Sequence, residues 1–66
     1  MNIFLNGETR EISSPLTLSG LLEQLRLSGQ RLAVERNGGI VPRSEHAQTA
    51  LAEGDRLEIV KAIGGG

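Results

Sequence analysis

The spacing of apolar residues along this chain shifts from strand-like runs to a helical repeat and back, and each shift marks an element. Ile3, Phe4 and Leu5 form an apolar run that stops at Asn6-Gly7. Asn-Gly takes the positive φ angles of a type I′ turn, so a hairpin is predicted here. Its return strand, Glu8 to Ile12, is mostly polar, with Thr9 and Ile12 as strand formers, and reads as a sheet edge. Ser13-Ser14-Pro15 breaks the strand. Thr17 then stands where it can cap a helix whose Leu18, Leu21, Leu22 and Leu25 fall at i, i+3, i+4 and i+7, one face of a helix. Gly20 weakens that helix by about 1 kcal/mol relative to alanine. Gly29 is predicted to end it, because glycine accepts the left-handed conformation.

Leu32 to Arg36 is a third strand, with Leu32 and Val34 on the same side. Asn37-Gly38-Gly39 turns the chain into Ile40-Val41, a short strand stopped by Pro42. Residues Ser44 to Leu51 read as a single helical turn and loop, and Glu53-Gly54-Asp55 as a turn. Arg56 to Ile63 is the last strand, with Leu57, Ile59 and Ile63 set against Glu58 and Val60. The order ββαβββ is an α+β fold, a sheet of four or five strands covered by one main helix. Its apolar last strand is expected at the sheet centre. Val60 and Ala62 share the face opposite Leu57 and Ile59. They either fill a second core layer or form an apolar docking patch. A one-helix domain usually leaves one sheet face wet, which favours docking through Val60, Ala62 and the neighbouring Ile63.

Composition narrows the function classes. The chain has 66 residues, enough for one domain, and no cysteine, which excludes disulfides and thiolate metal sites. The core must be aliphatic, with Phe4 as the sole aromatic; each large apolar side chain buried contributes roughly 1.5–3 kcal/mol. The net charge of -1, with both signs interspersed, argues against a nucleic-acid or anionic-membrane surface. No apolar stretch approaches the ~20 residues of a membrane span, and Met1 leads into Ile3 without a secretory signal pattern. A soluble, cytoplasmic protein, monomeric when free, is the expectation. His46 is the single histidine; without cysteine or a second histidine it supports neither a metal cluster nor a nucleophile's base, and a surface or packing role is expected. Asn37-Gly38-Gly39 joins strand to strand and offers no helix N-terminus to a phosphate. Glu23, Glu35, Glu45, Glu53, Asp55 and Glu58 are scattered and read as mostly solvated. Lys61, the one lysine, yields no functional reading.

The remaining feature is Gly64-Gly65-Gly66. A three-residue thread spans at most ~10–11 Å and has no side chains, so it can enter a narrow channel and place a carboxylate deep inside it. Frayed terminal glycines are the competing reading, of equal weight from the tail alone. The direct junction with a core strand and the lack of any rival site tip the balance. The division expected is a domain of residues 1–63 and a flexible tail of residues 64–66. A carboxylate is a poor electrophile, so attack by sulfur requires activation, most simply as an acyl-adenylate made with ATP. The chain has no P-loop pattern; an activating enzyme is implied.

Read in order, Met1-Asn2-Ile3, Asn6-Gly7-Glu8, Thr17-Leu18 with Leu21-Leu22, Ala33 to Gly38, Ile40-Val41-Pro42-Arg43, Gly54 to Val60 and the terminal glycines resemble the ThiS family of thiamine-biosynthesis sulfur carriers over the whole chain. Many relatives carry a charged or polar residue in place of Gly39 and an aromatic in place of His46. The resemblance implies a ubiquitin-like β-grasp fold, with the last strand parallel to the first at the sheet centre. It further implies no catalysis by the chain itself and no bound cofactor. Gly66 would be the covalent carrier, and Gly65 and Gly64 would give access to it. An E1-like adenylyltransferase (ThiF) would activate Gly66 with ATP, a persulfide donor would supply sulfur, and thiazole synthase (ThiG) would accept it. A carrier for molybdopterin or another sulfur-containing product, and a non-covalent ubiquitin-like interaction module, are the alternatives.

Overall fold

A computed structural model describes residues 1–61. The elements are β1 (Asn2–Leu5), β2 (Glu8–Glu11), α1 (Leu18–Gln24), β3 (Leu32–Arg36), β4 (Gly39–Ile40), a 3₁₀ helix (Arg43–Gln48) and β5 (Arg56–Lys61). They form a five-stranded sheet in the order β2-β1-β5-β3-β4. β1 and β5 are parallel, through Phe4↔Arg56 and Leu5↔Leu57, and β5 runs antiparallel to β3 from Leu32↔Lys61 to Arg36↔Leu57. The apolar last strand therefore occupies the centre, and the polar strand β2, exposed along its length, is an edge.

Both Asn-Gly turns are two-residue loops with positive φ at each position: 50° and 84° at Asn6 and Gly7, 52° and 88° at Asn37 and Gly38. Those angles match the right-handed twist of the paired strands, so each turn fixes its hairpin register, Leu5↔Glu8 in one and Arg36↔Gly39 in the other. The second hairpin starts one residue earlier than its apolar pattern indicates, at Gly39, and Val41 lies beyond β4.

Helix α1 crosses one face of the sheet. Thr17 caps it, Oγ1 accepting from Gly20 N at 3.1 Å. Leu18, Leu21 and Leu22 are buried, and Leu25 packs beside them partly covered. The helix stops short of Gly29. Gln24 is its last residue and Leu25 its cap. Arg26 takes φ 60°, its N–H donates to Glu23 O at 3.0 Å and the N–H of Leu27 to Leu22 O at 2.8 Å. This is the Schellman closure, with arginine in the position that usually favours glycine.

The core joins the leucines to Ile3, Ile12, Val34, Leu51, Leu57 and Ile59. Ile3, Leu18 and Leu21 have no exposed surface. His46, on the 3₁₀ helix, is buried and directs Nε2 to the carbonyl of Val41 at 3.1 Å, so the expected packing role is the one it fills.

Candidate functional site

The route to the glycine thread is strand β5, and its alternation sorts the residues around it. Leu57 and Ile59 face the helix, while Arg56, Glu58 and Val60 face outward. Register partners share a face, so Phe4 joins Arg56, and Ala33, Glu35 and Ile40 join Val60 and Glu58. No described helix covers this side. Among the described residues, the three large apolar side chains that are exposed, Phe4, Ile40 and Val60, all lie here. The guanidinium of Arg56 sits over the Phe4 ring, 5.3 Å from its centroid, within cation–π range. Phe4, Gly7, Arg56 and Glu35 border a shallow groove between the two Asn-Gly turns. Exposed apolar surface with a charged border is what a partner protein can cover.

Two side chains that the sequence marks only as turn formers hold β5 in place. Asn6 Oδ1 accepts from Ile59 N at 2.8 Å, and Asn6 Nδ2 donates to Ile59 O at 3.2 Å. From the other side, Asn37 Oδ1 accepts from Arg56 N at 2.9 Å, and its Nδ2 donates to Asp55 Oδ1 at 3.1 Å. Asn-Gly is a hairpin signal in any sequence; the reach of each amide to a strand far along the chain has no local signature.

Asp55 departs from the expectation that the carboxylates are mostly solvated. It is 5 % exposed and accepts from Ala52 N at 2.8 Å, Arg36 Nε at 3.0 Å and the Asn37 amide. Burial pushes its pKa up, but the hydrogen bonds from Ala52, Asn37 and Arg36 and the Arg36 charge outweigh this. The net direction is below the ordinary 3.8. Asp55 thus fixes the start of β5 against the β3–β4 turn.

Of the residues predicted to carry function, Val60 is 59 % exposed on the open sheet face. Ala62, Ile63, Gly64, Gly65 and Gly66 lie outside the described residues, as does the expected boundary between residues 63 and 64. Among the described residues no group of three metal-ligating side chains comes together, and no helix is long and apolar enough to cross a membrane.

With this geometry in place, comparison with known proteins assigns the class. The ThiS family model matches residues 3–66. The sulfur carrier protein ThiS of Escherichia coli is 37% identical over 68 residues, covering both chains completely. The crystal structure of the thiamine biosynthesis protein ThiS from Geobacter metallireducens superimposes with a TM-score of 0.86 at 29% identity, again over both whole chains. The chain belongs to the ThiS family, and its fold is the β-grasp of that family. It is also 48% identical over 66 residues to a thiazole synthase of Paramagnetospirillum magneticum, but spans only 20% of that protein's length.

Proposed function

We propose that this chain is a sulfur carrier of thiamine biosynthesis whose reactive group is the α-carboxylate of Gly66. An E1-like adenylyltransferase of the ThiF type joins that carboxylate to the α-phosphate of ATP and releases pyrophosphate. The sulfur of a partner's persulfide attacks the resulting acyl-adenylate carbonyl, and AMP leaves. A second thiol then cleaves the S–S bond, leaving the thiocarboxylate on Gly66. Thiazole synthase of the ThiG type accepts this sulfur. The chain itself is a protein co-substrate; ATP is bound by the activating partner, and Gly65 and Gly64 let the end enter that partner's site.

The observation that carries this reading is the seating of β5, the central strand, which ends in the described residues at Lys61, five positions before Gly66. A strand held on both sides gives the residues after it a fixed origin, which a partner needs in order to align a reacting carboxylate. Membership of the ThiS family supports the sulfur chemistry. The similarity of the whole chain to part of a thiazole synthase supports that enzyme class as the acceptor. Val60, exposed on the open sheet face, is the described part of the proposed docking surface; Ala62 and Ile63, which follow it in sequence, are proposed to extend it.

Intact-mass analysis of the protein isolated from its native host tests the proposal. A fraction with one terminal oxygen replaced by sulfur is expected, and the same spectrum checks that Gly66 bears a free carboxylate. Protein that lacks the sulfur-bearing species under thiamine-limited growth would rule the reading out.

A further inference from the structure

The backbone of β1 leaves β5 early. Pairing stops at Leu5↔Leu57, Asn6 N donates to Leu57 O at 2.9 Å, and the positive φ angles of Asn6 and Gly7 then turn the chain back into β2. Ile59 still presents an N–H and a C=O on that side. In a parallel ladder those two groups bond to two successive peptide groups of the neighbouring strand. Here the single carboxamide of Asn6 meets both, accepting from Ile59 N at 2.8 Å and donating to Ile59 O at 3.2 Å.

We infer that Asn6 is a positioning residue of the carrier: its side chain replaces a missing strand residue and fixes β5 seven positions ahead of Gly66. The left-handed backbone of Asn6 is part of the device, because it turns the main chain away while leaving the side chain beside β5. Asparagine suits both demands. It tolerates positive φ better than other non-glycine residues, and its amide offers one donor and one acceptor in a plane. Aspartate would offer only acceptors, setting a carboxylate against the Ile59 carbonyl. Glycine would keep the turn and lose the side-chain contact. Without the amide, β5 frays at its outer end, and a partner must order that segment before it can use the tail. That cost falls on productive docking and not on the chemical step.

This inference rests on the reading of Gly66 as the activated end, and Asn6→Gly in the full chain tests it. The activating enzyme with ATP is assayed by pyrophosphate release against carrier concentration, alongside thermal unfolding and amide exchange. The variant is expected to remain folded, to exchange the Ile59 amide about tenfold faster, and to show a KM for the carrier raised about tenfold with kcat unchanged. In the unaltered protein, the Ile59 amide should show a through-bond coupling to the Asn6 carboxamide; this holds even if the variant fails to fold, and its absence overturns the inference. An unchanged KM in a folded variant also overturns it, while leaving the carrier function intact. Failure of the unaltered chain to be adenylated overturns both.

Discussion

Asp55 and Arg36 meet at 3.0 Å where β5 begins, on side chains that are 6% and 31% exposed. The carboxylate also receives the Ala52 N–H and the Asn37 amide, so one acidic group joins the loop before β5 to the turn after β3. Its pKa lies below 3.8 in the folded protein, so in acid, between the folded and unfolded pKa, folding releases a proton that the unfolded chain holds. The stabilisation is full above the unfolded pKa and is lost as pH falls through the folded one. Asp55→Asn should cost about 1–3 kcal/mol at neutral pH. Urea unfolding at neutral pH and again in acid, below the ordinary aspartate pKa of about 3.9, should show the gap between variant and parent narrowing in acid; a gap independent of pH would contradict this account.

Arg26 closes the helix from a left-handed conformation that costs a non-glycine residue energy. Arg26→Gly should therefore stabilise the domain by about 0.5–1 kcal/mol, the relief of strain exceeding the extra entropy of unfolded glycine. A higher urea midpoint with an unchanged slope is the expected result, and a lower midpoint would mean that the arginine side chain stabilises the closure in another way.

The two faces of β5 should respond oppositely to substitution. Leu57 is 1% exposed and Val60 59%. Leu57→Ala should cost about 2–5 kcal/mol, whereas Val60→Thr, which keeps the β-branched shape, should change stability by no more than about 0.5 kcal/mol. If the open face docks the activating enzyme, Val60→Thr should still raise the KM for the carrier about fivefold, a loss of roughly 1 kcal/mol. An unaltered KM would exclude Val60 from the interface.

One alanine appended after Gly66 should abolish adenylation while its unfolding curve superimposes on that of the parent. The added residue moves the carboxylate by up to about 3.6 Å, far more than a positioned reaction tolerates. Sulfur loading at the full rate on the extended chain would refute Gly66 as the carrier.

The hairpins and the capped helix were legible in the sequence because each depends on neighbours a few positions apart, and the central last strand because its own apolar residues mark it for burial. Asn6-Gly7 and Asn37-Gly38 announce their turns, and Thr17 with the leucine spacing announces α1. Propensity favours glycine and points to Gly29 as the helix end, whereas the chain closes its helix with Arg26. Asp55 looked like one more solvated acid, since its donors, Arg36 and Asn37, come from a hairpin many residues away. The same distance hid the amide of Asn6 beside Ile59. Local chemistry is written in local sequence; contacts across the sheet are not.

Parallel pairing of β1 with β5 also delays completion of the sheet during synthesis. The first strand leaves the ribosome early but lacks its inner neighbour until residues 56–61 follow. Translation halted before Arg56 yields a polypeptide missing the middle of its sheet, with β1 and β3 each left without the strand that joins them.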